Sequence, residues 1–271
     1  MQRGHHYRSL LLAAVLSLAG ATALSAQQPP GLLIEVPGGA AADQSAAGDR
    51  THVRARTVRV DLPQLGTREQ RRTPSQSLLL NLFDDASYSV TLDRIDQTRG
   101  GFVWVGHIPD VAMSTVTLAI EDGAVYGSVL TPAATYVIRS AGNGLHLVAQ
   151  IDQSAFRPEA DPREVDAPPG GRTELADASP PAADDSAAFI DVMVLYTPAA
   201  AIAAGGSSAI NALIANAISV TNTAYGNSNV TQRIRLAFSG PVAYTESGDI
   251  ETDLNNITIG TGGFRPFLHL D

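Results

Sequence analysis

The sequence predicts an α+β protein, in which an antiparallel β-rich unit precedes a smaller α/β unit of the order strand-helix-strand. Short alternating apolar segments recur about every ten residues between 57 and 152, with turn residues between them. A near-continuous apolar stretch, FIDVMVLYT at 189–197, is instead followed by helical periodicity. The Pro-rich residues 153–188 separate the two patterns, so we expect two units joined by a linker that is also a plausible processing region.

Residues 1–26 have the layout of a secretory signal peptide. Arg3 and Arg8 precede the apolar run LLLAAVLSLAGATAL, and small residues follow it. Cleavage is expected after Ala23 or after Ala26. The alternative, an uncleaved N-terminal anchor, is disfavoured because the apolar run is short for a membrane span. We therefore expect an exported protein, secreted or periplasmic, that has no membrane association after cleavage.

Composition excludes several classes of function. The formal net charge of −9 and the pI near 5.0 argue against a nucleic-acid partner, because binding requires cations that neutralise phosphates. The arginines between residues 50 and 72 are interpreted as a solvated segment. The absence of cysteine removes disulfides, thiolate zinc ligands and cysteine nucleophiles.

The β-rich unit is expected to cover residues 57–152, after a flexible Pro/Gly/Ala-rich lead-in at 27–56. The segments VRVDL, YSVTLDRI, GFVWVGHI, TYVIRS and LHLVAQI alternate, which indicates an antiparallel meander. The stretch TVTLAIEDGAVYGSVLT predicts a hairpin around Glu121-Asp122-Gly123, and AGNG predicts a later turn. Trp104 is expected to pack in the core.

The second unit is expected at 189–271. FIDVMVLYT is predicted to be an interior strand buried on both faces and ended by Pro198. Ser207-Ser208 is expected to cap a helix that ends at GNSN (226–229). The segment RIRLAFSGPVAY supplies a second strand, and ESGDIETDLNNI begins another helix with acidic residues in its first turn. The predicted apolar face of the first helix consists of Ile210, Leu213, Ile214, Ala217, Ile218, Thr221 and Tyr225.

Residues that could carry chemistry are few, and we assign no catalytic, cofactor-binding or metal-binding residue. No two histidines are spaced to hold a metal on one helical face, and no Gly-x-Ser-x-Gly motif occurs. The acidic group at 246–253 could hold a cation such as calcium, but carboxylates that favour a helix N-terminus explain it better. The six histidines are His5, His6, His52, His107, His146 and His269, and the acidic group consists of Glu246, Asp249, Glu251 and Asp253.

The order of segments resembles a known family. IDVMVLYTPAA, ANAISVTNTAYGNSNV and RIRLAFSGPVAYTESGDIETDL are similar to the start of the catalytic domain of secreted bacterial zinc metallopeptidases, the reprolysin-like members of the metzincin clan. The upstream segments QSLLLNLFDDASYSVTLDRIDQTRGGFVWVGHI, STVTLAIEDGAVYGSVLT and TYVIRSAGNGLHLVAQID are similar to their pro-segment. The resemblance spans residues 57–254 in two blocks on either side of the linker.

The resemblance implies a zinc metalloendopeptidase precursor that acts on protein or peptide substrates, with the pro-domain packed on the catalytic domain. In that family the zinc ligands lie later, in His-Glu-x-x-His-x-x-Gly-x-x-His, with the glutamate as general base. This sequence contains no such segment, so it is expected to be a truncated N-terminal part of the metzincin catalytic domain, inactive by itself. The alternative function is a non-catalytic exported binding or inhibitor module.

Overall fold

The computed structural model describes residues 30–37, 49–66, 74–156 and 188–259. The predicted signal peptide, most of the predicted linker and the C-terminal residues 260–271 lie outside these ranges. The division into domains at the linker therefore stays a prediction.

The first part of the described chain is one antiparallel sheet that curls into a near-barrel. Its strand order is β1-β2-β9-β8-β7-β6-β5-β4-β3, so neighbours from β3 to β9 are joined as a meander, as the alternating segments predicted. A one-turn helix, α1 (Leu62–Leu65), follows β2. The nine strands are β1 (Leu33–Glu35), β2 (His52–Val60), β3 (Ser77–Phe83), β4 (Ala86–Gln97), β5 (Gly101–His107), β6 (Thr115–Glu121), β7 (Ala124–Leu130), β8 (Thr135–Gly142) and β9 (Leu145–Ile151).

The near-barrel closes through a segment for which we predicted no regular structure. Gly31 forms a parallel bridge with Leu79 of β3, and the Leu32 amide donates to the Leu79 carbonyl at 2.8 Å. The side chain of Asn81 binds both backbone groups of Leu33: its Oδ1 accepts from the Leu33 amide at 2.9 Å, and its Nδ2 donates to the Leu33 carbonyl at 2.7 Å. The predicted lead-in at 27–56 thus contributes β1 and the start of β2, because a curled sheet gains hydrogen bonds when its edges meet.

Two predicted turns have the expected backbone. Asp122 and Gly123 join β6 to β7 with φ of 46° and 82°. Asn143 and Gly144 join β8 to β9 with φ of 53° and 71°. Two successive residues with positive φ form the type I′ turn, whose twist suits a two-residue hairpin, so both turn predictions are confirmed.

The interior of the near-barrel is a packed hydrophobic core. Trp104 is fully buried, and its indole Nε1 donates to the Ser75 carbonyl at 3.0 Å, so the one polar atom of the ring is satisfied. Leu78, Leu118 and Ile138 belong to the same buried cluster. The expectation that Trp104 lies in the core is confirmed.

The second part of the described chain is a βαβ unit followed by a helix. Strand β10 (Phe189–Tyr196) leads through α2 (Pro198–Ala204) and α3 (Ser207–Asn227) to the parallel strand β11 (Arg233–Pro241). Helix α4 (Ile250–Ile259) then begins with two acidic residues in its first turn. The strand-helix-strand order is therefore confirmed.

Two local predictions in this unit need correction, and one helix was not predicted. Strand β10 is not buried on both faces: Phe189 and Ile190 are each 47% exposed, because β11 is its single partner in the described sheet. Helix α2 was not predicted, although the Thr197 hydroxyl caps it by accepting from the Ala200 amide at 3.0 Å. Finally, Gly206, not a serine, is the N-cap of α3.

In the described part of the chain, no single helix combines the length and apolar character needed to cross a bilayer. Helices α2 and α3 meet those criteria only when taken together, and they are bent by 85° at their junction.

Candidate functional site: the interface between the near-barrel and helix α3

Helix α3 lies across the outer face of the near-barrel, over strands β5 to β7. Small side chains on the helix meet apolar side chains on the strands, and the members of this buried cluster are Val103, Val105, Ala119, Ala212 and Ala215, with Tyr126 packed beside them. Val103 and Val105 alternate along β5 with Phe102 and Trp104 of the core, so β5 is buried on both faces. The helix therefore covers an outer sheet surface that is itself hydrophobic.

The buried face of α3 coincides only in part with the one predicted from apolar spacing, in which Ile210 and Ile214 are buried as predicted. Leu213 and Ala217 of the predicted face are exposed, whereas Ala212, Ala215 and Ser219 are buried. A helix approaches a sheet closely only where its side chains are small, because larger ones hold the two backbones apart. The contact surface was thus decided by side-chain size as well as by hydrophobicity.

Asn216 is a polar group buried within this contact, with a relative exposure of 3%. The Ser128 hydroxyl donates to Asn216 Oδ1 at 2.8 Å, and Asn216 Nδ2 donates to the Thr117 carbonyl at 3.1 Å. Both ends of the amide are therefore satisfied by the near-barrel, one by β7 and the other by β6. A buried amide is favourable only when paired in this way.

A second set of polar contacts lies one helical turn further along. Ser219 donates to Asp96 Oδ2 at 2.8 Å, and Arg94 donates to Thr223 Oγ1 at 2.9 Å and to Ser219 Oγ at 3.3 Å. Arg94 and Asp96 also pair with each other on β4 at 3.0 Å. Both charged side chains are about 40% exposed, so this group forms the hydrated rim of the contact.

A cleft of about 1070 Å³ opens beside this rim, between β4, the C-terminal half of α3 and β11. Its wall carries Arg94, Arg99 and Arg235, and Arg235 pairs with Asp191 at 2.7 Å. Asn222 on α3 binds the free edge of β11: its Nδ2 donates to the Ile234 carbonyl at 2.9 Å and its Oδ1 accepts from the Ile234 amide at 2.8 Å. The side chain thus takes the place of a neighbouring strand.

The histidines in the described residues lie in three different environments. His107 Nδ1 lies 2.8 Å from Asp93 Oδ1 at the surface, and His52 lies 3.7 Å from Asp49. His146 is buried without a hydrogen-bond partner for either ring nitrogen, and burial lowers its pKa to about 4. No group of three or more His, Asp or Glu within the described ranges could hold a metal ion.

The carboxylates near α4 serve local structure. Asp249 Oδ1 accepts from the Glu251 amide at 3.1 Å, which is a capping contact. Asp253 Oδ1 accepts from the Tyr244 hydroxyl at 2.6 Å and from the Ser247 amide at 2.9 Å, and these bonds lower the pKa of Asp253. Glu246 accepts from the Thr197 hydroxyl. Of these carboxylates, Asp249 is the one that caps the N-terminus of α4.

Comparison with known proteins gives a distant relationship to metalloendopeptidases. A peptidyl-Asp metalloendopeptidase of Xanthomonas campestris pv. campestris is 27% identical over 215 residues, which are 72% of this chain and 50% of that protein. The peptidyl-Asp metalloendopeptidase of Stenotrophomonas maltophilia strain R551-3 is 29% identical over 189 residues, 63% of this chain and 44% of its own length. That of strain K279a is 27% identical over 188 residues, with the same coverages.

The chain therefore spans about half the length of the curated relatives it matches. No family model matches the sequence, and no solved structure matches it. The predicted relationship to metallopeptidases is confirmed at this general level. The assignment to the reprolysin-like metzincins, and to a pro-segment plus the start of a catalytic domain, stays a prediction.

Sequence reasoning missed the polar residues of the interface. A signal for them was present in the helix, where Asn216, Ser219 and Thr223 follow one another at spacings of three and four among alanines and isoleucines. A second signal was present in β5, whose outward residues Val103 and Val105 are as apolar as its inward ones. Together these patterns indicate a covered strand facing a helix with a polar stripe.

Proposed function

We propose that this chain is the N-terminal part of an exported zinc metalloendopeptidase precursor. The near-barrel is its pro-segment, and the unit that begins at β10 is the first part of its catalytic domain. The distant relationship to peptidyl-Asp metalloendopeptidases over as much as 72% of the chain carries this proposal. The two-part architecture supports it, since β10, α3 and β11 follow the order that the family resemblance implies.

The zinc-binding residues belong to a segment that these 271 residues do not include, since no His-Glu-x-x-His occurs in the sequence. A zinc ion in such a site polarises the scissile carbonyl and lowers the pKa of its bound water. The described residues do not fit a zinc site, and we assign no chemical step to any of them. We therefore propose that residues 1–271 do not hydrolyse peptide bonds by themselves.

The substrates of the longer enzyme are proposed to be proteins or peptides, cleaved at aspartate. This specificity is suggested by the names of the relatives alone. The role proposed for the near-barrel is to cover α3 and so to support the folding of the catalytic unit, because the apolar residues of the contact are exposed if the two parts separate.

Peptidase assays on two chains test the proposal. The coding DNA is translated past the Asp271 codon in all three frames, and the extended chain and the 271-residue chain are both expressed. We expect only the extended chain, carrying His-Glu-x-x-His, to cleave a peptide with one internal aspartate, and we expect a zinc chelator to abolish this activity. The matched control peptide has asparagine at that position.

Cleavage by the 271-residue chain overturns the proposed inactivity. An extended chain that cleaves equally well in the presence of the chelator overturns the zinc mechanism, and equal cleavage of the asparagine peptide overturns the proposed specificity.

A further inference from the structure

We propose that the cleft between β4, α3 and β11 is a binding site for an extended acidic peptide, whose backbone pairs with the open edge of β11. The volume of the cleft, about 1070 Å³, lies at the upper end of the range for ligand-binding clefts. The proposal concerns binding alone and does not depend on peptidase activity.

The edge of strand β11 forms one wall of the cleft, where all of residues 233–239 line it. Within the described ranges β11 pairs with β10 alone, so the backbone groups along its other edge have no strand beside them. Unpaired amides and carbonyls along an edge strand are a template for a further strand. A ligand that uses this wall is therefore an extended peptide.

The contact of Asn222 with Ile234 identifies which backbone groups face the cleft. The Arg233 amide donates to the Ala188 carbonyl on the β10 side, whereas the amide and carbonyl of Ile234 are bound by the Asn222 side chain on the other side. Successive residues of a strand direct their backbone groups to opposite edges, so those of Leu236 face the cleft like those of Ile234. An added strand therefore pairs from Leu236 onward, with Asn222 at its end.

The charges of the cleft favour an acidic ligand, although the net charge of the whole chain is −9. Two of the carboxylates on the wall are withdrawn: Asp96 accepts from Ser219 and pairs with Arg94, and Glu121 is only 6% exposed. Guanidinium groups are suited to carboxylates because their planar donors match the two oxygens. The wall carries four arginines and three carboxylates, namely Arg94, Arg99, Arg233 and Arg235 with Asp96, Glu121 and Asp122.

Arg235 and two aromatic rings indicate the pattern of side chains that the ligand presents. Arg235 pairs with Asp191 at 2.7 Å, but both side chains are more than half exposed, so a ligand carboxylate can replace this weak pair. Phe189 and Phe238 also line the cleft and are about half exposed. Side chains alternate along a strand, so the ligand that fits carries acidic and apolar residues in alternation.

The test measures the fluorescence anisotropy of a labelled peptide of alternating glutamate and valine during titration with the full 271-residue chain. One control peptide has proline in place of valine, which keeps the charge but removes the amides needed for strand pairing. The other has lysine in place of glutamate. We expect saturable binding of the first peptide, and binding at least about tenfold weaker for each control.

Two variants and one control locate the peptide. Leu236→Pro removes an amide that faces the cleft and keeps the side of the strand that pairs with β10, which an edge strand tolerates. Arg235→Gln removes a charge from the wall. We expect each to bind the peptide about tenfold more weakly. The matched control, Arg59→Gln, lies at an exposed position of β2 outside the cleft and should bind as the parent does. Circular dichroism checks that each variant is folded.

Absence of saturation up to about 1 mM peptide overturns the proposal. Equal binding of the proline peptide overturns the pairing with β11, and equal binding of a short oligothymidylate overturns the assignment to a peptide. Parent-like binding by both Leu236→Pro and Arg235→Gln places the ligand elsewhere and also overturns it. A failed peptidase assay on the extended chain bears on the proposed function and leaves this result unchanged.

Discussion

At the scale of single residues, His146 is a titratable group that the fold removes from water. It lies on β9, paired with Val58 of the core, and neither ring nitrogen has a hydrogen-bond partner. A buried imidazole of this kind is kept neutral, because protonation would place an unpaired charge in an apolar surrounding. Burial lowers its pKa to about 4.

We predict that acid weakens the fold through His146. Between pH 6.5 and 4 the unfolded chain binds a proton that the folded chain does not, so the free energy of unfolding should fall by up to about 3 kcal/mol across that interval. Urea unfolding at several pH values, followed by Trp104 emission, measures the change. His146→Leu should remove most of this slope, whereas the exposed control His107→Gln should retain it.

The core leaves no space for a side chain at Gly106. A Cβ built there lies 2.6 Å from the Trp104 ring and 2.1 Å from the Thr91 carbonyl oxygen. We predict that Gly106→Ala lowers the free energy of unfolding by about 1–3 kcal/mol or more, because either the ring or strand β4 must move.

The control for this prediction is Gly226→Ala, in helix α3, where the added Cβ meets only the end of the Arg233 side chain at 3.3 Å. That change should leave stability unaltered or raise it by up to about 1 kcal/mol, since alanine favours helix. Equal effects at the two positions would contradict the steric argument for Gly106.

At the scale of elements, the free edge of β11 is held by a side chain in place of a strand. The side chain of Asn222 forms hydrogen bonds with both the amide and the carbonyl of Ile234. We predict that Asn222→Leu speeds hydrogen exchange of the Ile234 amide by about tenfold, the effect of losing one hydrogen bond. Exchange measured residue by residue checks it, with Asn227→Leu as the matched control. Unchanged protection of Ile234 would show that another group holds this edge.

At the scale of the whole molecule, the stability of the βαβ unit depends on the near-barrel more than the stability of the near-barrel depends on the βαβ unit. The near-barrel has its own packed interior around Trp104, whereas the βαβ unit has a two-stranded sheet with Phe189, Ile190 and Met193 about half exposed. Much of the burial of α3 comes from the near-barrel. An α/β layer of this size without disulfides is marginal by itself.

We predict that an isolated 189–271 fragment does not melt cooperatively and aggregates through β10, while the full chain shows a cooperative transition of its near-barrel. Circular dichroism during heating, with light scattering, measures both. The fragment 30–156 is the control and should melt cooperatively. A sharp reversible transition of the 189–271 fragment would show that this unit is stable without the near-barrel.

The sequence by itself determined the elements whose causes are local. The type I′ turns at Asp122-Gly123 and Asn143-Gly144 follow from residues that accept positive φ, and the meander follows from period-two alternation. The apolar period of α3 likewise predicted a helix over the right residues.

The tertiary structure alone decided which surfaces meet. Three features depend on contacts between residues distant in the chain: the closure of the near-barrel by β1, the exposure of β10 and the choice of the buried face of α3. The bond between Asn81 and Leu33 contributes to the first, and the bond between Asn216 and Thr117 contributes to the third. Periodicity records which side chains are apolar, but a close contact also requires small side chains and a partner for every buried polar group. Those requirements are fulfilled between elements, so a pattern within one element cannot predict them.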